Sequence, residues 1–127
     1  MSQQTTAVSE ALARFEGRYP QAIDLSLGRI LHVLERLDRP QDRLPPVIHV
    51  AGTNGKGSTC AFIRAMAEAA GLKTHVATSP HLVRFNERIR LAGNLIEDAY
   101  LIDVLGQVER ALGAAEITHF EAAMAAS

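Results

Sequence analysis

Apolar residues at Ile23, Leu27, Ile30, Leu31 and Leu34 recur at one-face helical spacing and predict an amphipathic helix from about Asp24 to Leu37. A shorter helix is expected from Val8 to Glu16, ended by Gly17 and the Tyr19-Pro20 pair. The polar, Pro-rich connector "DRPQDRLPP" stops the second helix, because a residue before proline is pushed out of the helical region. Val47-Ile48-His49-Val50-Ala51 follows as a mostly apolar run of the kind that becomes a buried parallel strand. Helical spacing returns from Ser58 to Ala70, with Phe62, Ile63, Met66 and Ala70 on one face and Gly71 as C-terminal cap. His75-Val76-Ala77-Thr78 reads as a second strand, completing a strand-turn-helix-strand unit whose crossover is expected to be right-handed.

Beyond that unit, "SPHLVRFNE" reads as an irregular loop, and Arg88-Ile89-Arg90-Leu91 alternates like a half-exposed strand ending at Ala92-Gly93. Leu101, Val104, Leu105, Val108 and Leu112 mark a helix from about Glu97. The closing "ITHFEAAMAAS" starts another helix with Thr118 as N-cap. Too few strands are present to cover these helices, so the chain reads as the opening part of something longer.

Composition narrows the class. With 127 residues, 47% hydrophobic and 21% charged, the chain has the make-up of one soluble globular domain. A net charge of -1, from 13 basic and 14 acidic side chains, supplies no bulk field for nucleic acid or an anionic membrane. A single cysteine, Cys60, excludes an internal disulfide and a four-cysteine zinc site, which fits a reducing cytoplasm. Cys60 itself is expected as a small buried hydrophobe. No apolar run approaches the roughly 18 residues of a membrane span, and the N-terminus has no signal-peptide pattern.

Chemistry concentrates in "HVAGTNGKGSTC", which departs from the phosphate-loop pattern G-x-x-x-x-G-K-[ST] in two places. Val50 stands where the first Gly would fall, and Gly57 separates Lys56 from Ser58. The context is nevertheless that of an anion site: a strand feeds a Gly-rich turn that opens a helix, aiming backbone N–H groups and the positive helix end at one point. Gly52, Gly55 and Gly57 allow torsions and close approach that side chains prevent. Lys56 would place a charge at the β/γ-phosphates, and Ser58 or Thr59 a hydroxyl for Mg²⁺. The competing reading is a Gly-rich turn with a solvated lysine.

"IHVAGTNGKGST" followed by "TSPHLVRFNERIRLAG" resembles the folylpolyglutamate synthase / dihydrofolate synthase family, relatives of the Mur ligases of cell-wall synthesis. The resemblance runs from "IDLSLGRI" onward, and the Lys-Gly-Ser order with "SPHLVRFNERIR" belongs to the folate branch, so the irregular loop reads as a family variant. It implies an α/β fold, the N-terminal portion of a P-loop NTPase-like three-layer sandwich with a mostly parallel sheet. Residues 1–46 would be a helical lead-in and 47–127 the opening part of the ATP-binding domain; the rest of that domain and a C-terminal domain would lie outside this chain. Family members are ATP-dependent amide ligases. They phosphorylate a carboxylate of dihydropteroate or of a tetrahydrofolate glutamyl tail, and the amine of L-glutamate displaces phosphate from the acyl phosphate. They act with Mg²⁺, in folate biosynthesis and one-carbon metabolism, and the full-length protein is expected to be a cytoplasmic monomer.

Carried over residue by residue, the resemblance makes Thr53, Asn54, Gly55, Lys56, Gly57, Ser58 and Thr59 the ATP-binding loop, with Lys56 its catalytic charge. Ser58, Ser79 and Glu121 become metal ligands, hard oxygen donors of the kind Mg²⁺ takes. Pro80, His81, Leu82, Phe85 and Arg88 become folate-binding residues, with Arg84 or Arg88 available to a carboxylate. The competing reading of Glu121 is a favourable charge in a first helical turn. The competing reading of Arg84, Glu87, Arg88 and Arg90 is that they solvate an edge strand, a reading that suits Arg84 and Arg90 better than Arg88. His32 and His49 read as hydrogen-bonded structural histidines, and His75 and His119 carry no assignment. The family's further histidine, its carbamylated lysine and its adenine and glutamate sites have no counterpart in these residues. Two other functions compete: a truncated, non-catalytic nucleotide-binding fragment, and a Mur-type ligase or P-loop kinase with a different acceptor.

Overall fold

The computed structural model describes residues 4–19 and 26–127, and the expected start of the second helix at Ile23 and Asp24 lies outside them. Five α-helices are found among the described residues: α1 (Thr6–Ala13), α2 (Gly28–Arg36), α3 (Lys56–Ala69), α4 (Asp98–Leu112) and α5 (His119–Ala125). Three short strands accompany them: β1 (Val76–Ala77), β2 (Ile89–Leu91) and β3 (Asn94–Leu95). The chain forms two compact units, one within Met1–Leu44 and Asp98–Ser127, the other Pro45–Glu97. The sequence-based division at 46/47 had grouped residues 98–127 with the loop. No helix among the described residues is long and apolar enough to cross a membrane.

The first unit is helical. α1 and α2 each pack on α4, and α2 also meets α5. Leu101, Leu105, Val108 and Leu112 are buried along one stripe of α4, as the period of 3.6 requires, with Val8 and Ala11 from α1, Val33 from α2, and Ala122 and Ala123 from α5. On α2 the buried face turns away from the expected one: Val33 is buried while Leu27 and Leu31 are 68% and 52% exposed. The Ile117 N–H donates to the Arg18 carbonyl at 2.9 Å, tying the chain before α5 to the turn after α1.

The second unit corrects the expected sheet. Its three strands, in the order β1-β2-β3, are all antiparallel, with Val76 opposite Arg90 and Leu91 opposite Asn94. No parallel pair forms among the described residues, so the mostly parallel sheet and the right-handed strand-helix-strand crossover are absent from them. The reason is the ladder: Val47–Ala51 pairs with no strand among the described residues, and Val47 and Ile48 are each 70% exposed. The hairpin from β2 to β3, unforeseen in the sequence, turns at Ala92 and Gly93, both at positive φ (48° and 85°), the twist that suits a two-residue hairpin. α3 ends as expected. Gly71 at φ 82° lets its N–H reach Glu68 O at 2.9 Å and the Leu72 N–H reach Ala67 O at 3.0 Å, so that carbonyls of the last turn are satisfied. The apolar face read on α3 is uncovered, with Phe62 70% and Met66 65% exposed.

Candidate functional site

Helix α3 begins at Lys56, with Gly55 as its N-cap in the left-handed region at φ 74°. That torsion is open to glycine and strained for a side chain. Gly52, at φ 146°, makes the other bend of the loop. The first backbone bond of the helix is Thr59 N–H to Gly55 O at 2.9 Å. The amides of Gly55, Lys56, Gly57 and Ser58 therefore have no partner one turn back and face the loop at the positive helix end. The Lys56 ammonium folds over the same loop, donating to Gly52 O at 2.7 Å and Thr53 O at 3.3 Å. Thr53, Asn54, Gly55, Lys56, Gly57, Ser58 and Thr59 are all exposed.

Geometry also separates the two hydroxyls. Thr59 Oγ1 donates to Gly55 O at 2.9 Å, the bond a helical threonine makes to the turn before it. Ser58 Oγ has no such bond, and its place on the first helical turn leaves it the freer oxygen. Nothing lies within 4 Å of where a Cβ on Gly57 would stand.

In "SPHLVRFNER" the structure brings several expected residues into contact. The Ser79-Pro80 peptide bond is cis. Arg88 Nε donates to His81 Nδ1 at 2.8 Å, and Arg88 Nη1 to Ser79 Oγ at 3.2 Å. The guanidinium lies over the Phe85 ring, 5.2 Å from its centre, and the His81 ring stands 5.8 Å from the same ring. Phe85 is only 1% exposed, so its ring supports Arg88 and His81 from within rather than facing a ligand. Leu82 is 92% exposed at the tip, and Pro80 is exposed too.

Sequence reasoning read Glu87 only as a charge that solvates an edge strand. Its carboxylate accepts from the N–H groups of Leu82 (2.8 Å), Val83 (3.0 Å) and Arg84 (2.8 Å), closing the loop on itself. The amides of Leu82 and Arg84, then that of Val83, hold this carboxyl below the usual range against the opposing effect of burial. An acid three residues after an arginine gave no signal of a loop clasp.

Glu121 lies in the first unit, on α5, and shows the first-turn role that competed with metal binding. Its N–H donates to Thr118 Oγ1 at 3.1 Å while its Oε2 accepts from the Thr118 N–H at 2.8 Å, a reciprocal cap. The same oxygen accepts from Arg29 Nε at 3.1 Å. Burial raises the pKa of this carboxyl, but the hydrogen bonds from Arg29 and Thr118 and the Arg29 charge bring it below the ordinary value. Among the described residues no group of three His, Cys, Asp or Glu side chains gathers as a metal cluster. His32 and His49, expected as structural, are exposed, and Cys60 is half-buried rather than buried.

No family model matches the chain. The Bacillus subtilis "Dihydrofolate synthase/folylpolyglutamate synthase" is 37% identical over 115 residues, 91% of this chain and 26% of that protein. The bifunctional folylpolyglutamate synthase/dihydrofolate synthase of Yersinia pestis, solved with AMPPNP and a Mn ion, matches the structure at a TM-score of 0.86 and 37% identity, over 99% of this chain and 30% of that one. The Escherichia coli FolC structure in complex with DHPP and ADP matches at 0.80 and 34% identity, again over 99% of this chain and 30% of the other. The chain thus spans between a quarter and a third of the length of these relatives. Agreement of sequence and fold along almost all of its own length shows that the chain belongs to the folylpolyglutamate synthase/dihydrofolate synthase family.

Proposed function

We propose that these residues supply the phosphate loop and part of the folate-binding surface of an ATP-dependent amide ligase that adds L-glutamate to dihydropteroate, to tetrahydrofolate glutamyl tails, or to both. In this reading residues 47–127 open the three-layer ATP-binding domain and 1–46 lead into it. The observation that carries the proposal is the loop: a left-handed Gly55 opening a 14-residue helix, with the Lys56 ammonium laid over it. Thr53 to Thr59 bind the triphosphate through backbone N–H groups, and Lys56 neutralises charge at the transferred phosphoryl. A carboxylate oxygen of the folate substrate takes the γ-phosphoryl and ADP leaves; the glutamate amine then forms the amide and expels inorganic phosphate.

The donor chemistry fits Mg²⁺. Ser58, Ser79 and Glu121 all offer oxygen, and Mg²⁺ favours one or two carboxylates together with nucleotide phosphates. When bound, the ion would neutralise the β- and γ-phosphates. Pro80, His81 and Leu82 contact the pterin-bearing substrate, and Phe85 and Arg88 support them.

The test is Lys56→Ala in the full-length enzyme. Loss of a charge aimed at the transferred phosphoryl should lower kcat about 10²–10³-fold with either folate substrate. Wild-type kcat in the variant would remove the loop from the mechanism. ATP binding without glutamate addition by the wild-type protein would favour a nucleotide-binding fragment instead.

A further inference from the structure

Ser79 to Arg88 has a construction that the family resemblance does not explain: the loop is held by its own last two residues. Glu87 occupies three consecutive backbone amides, those of Leu82, Val83 and Arg84, with one carboxylate. Arg88 occupies two side chains on the other limb, His81 and Ser79, and rests on the buried Phe85 ring. The next residue is anchored as well, since Ile89 is 2% exposed and opens β2. The base of the loop is also pinned, by Thr78 N–H to Arg88 O at 2.9 Å. A segment whose only regular structure is the single 3₁₀ turn Phe85–Arg88 is thereby given a fixed shape, with Leu82 its most exposed residue.

The Arg88 contact carries a further chemical consequence. An arginine nitrogen only donates, so Nδ1 of His81 must accept, and the proton of the neutral ring sits on Nε2. The half-buried His81 is then a hydrogen-bond donor at Nε2, beside the exposed apolar Leu82. A donor next to an apolar contact suits a flat heteroaromatic ring that carries a carbonyl oxygen.

We propose that Glu87 and Arg88 are positioning residues for the pterin-bearing substrate, Glu87 by fixing the backbone around Leu82 and Arg88 by setting the tautomer of His81 and the place of the Ser79 hydroxyl. The proposal rests on the ligase reading above. Neither residue need touch the substrate. Their effect falls on its binding and orientation, because a preformed loop spares the ordering that binding would otherwise require.

Two readouts test it in the full-length protein. Glu87→Gln keeps one acceptor oxygen but turns an NH₂ toward backbone donors, so exchange of the Leu82, Val83 and Arg84 amides with solvent should accelerate. In the same variant the KM for the pterin substrate should rise about tenfold or more while the KM for ATP stays within about twofold, the split expected when one substrate's positioning is lost. Arg88→Lys, which retains charge but not the fork that spans His81 and Ser79, should show the same split without the change in amide exchange. Unchanged amide exchange in Glu87→Gln overturns the proposal, as does accelerated exchange with both KM values unaltered. Equal rises in both KM values would mean general damage and overturn it too. If the wild-type protein adds no glutamate to any pterin substrate, it is the ligase reading that fails, and the positioning roles fall with it.

Discussion

Opposing forces act on the Glu121 carboxylate. Burial favours its neutral form, whereas Arg29 and the Thr118 cap favour the charged one and prevail. A folded-state pKa below the unfolded value means that the group contributes stability above the unfolded pKa, and that this contribution is lost as pH falls through the folded value. With both side chains under a fifth exposed, at 17% and 12%, Arg29→Met should cost roughly 1–3 kcal/mol at neutral pH by leaving a largely buried charge poorly satisfied. The difference between wild type and variant should shrink as pH drops below the ordinary carboxylate range. Urea unfolding at a series of pH values measures it, and a pH-independent difference would rule out the ion pair as the cause. Thr118 was legible as an N-cap and Glu121 as a first-turn charge, because both signals are local, though their reciprocal hydrogen bonds were not foreseen. Arg29 was not, because it stands 92 positions away and only packing of α2 on α5 brings it to the carboxylate.

The proposed phosphate loop is a turn without a paired strand followed by a helix, and α3 offers a clean separation of folding from binding. Gly57 lies in the first turn with open space where a Cβ would stand. Gly57→Ala should leave the fold intact and raise helix stability, by about 0.5–1 kcal/mol from propensity alone. If phosphate approaches this turn, the added methyl should occupy the open space it needs and weaken ATP binding, which calorimetric titration of both proteins would show. Unchanged ATP affinity would mean that the first-turn amides do not approach phosphate. Helix α3 was readable because its spacing, its opening glycine and its Gly71 stop are all local. The strand at Val47–Ala51 was not, because extended backbone becomes a strand only beside a partner. The β2-β3 hairpin was missed because each strand is too short to show alternation.

The 127 residues form two units, and the second has only Phe85, Ile89 and Ile96 as buried apolar side chains. Val47, Ile48, Phe62 and Met66, on either side of the proposed phosphate loop in the chain, remain 65–70% exposed. A loop so lightly supported should bind nucleotide weakly and turn nothing over. We expect purified residues 1–127 to add no glutamate to dihydropteroate or tetrahydrofolate in the presence of ATP, as followed by phosphate release; sustained release dependent on glutamate would contradict this. From the chain's residues alone came the glycine turn that opens α3, the order of the helices, their caps and the family, because each rests on neighbours within a few positions or on a short run of letters. Tertiary structure alone decided the antiparallel pairing, the free hydroxyl of Ser58, the Glu87 clasp, the tautomer of His81 and the Arg29 partner of Glu121. Those depend on which groups meet across space, and a linear pattern of polar and apolar positions carries no record of distance.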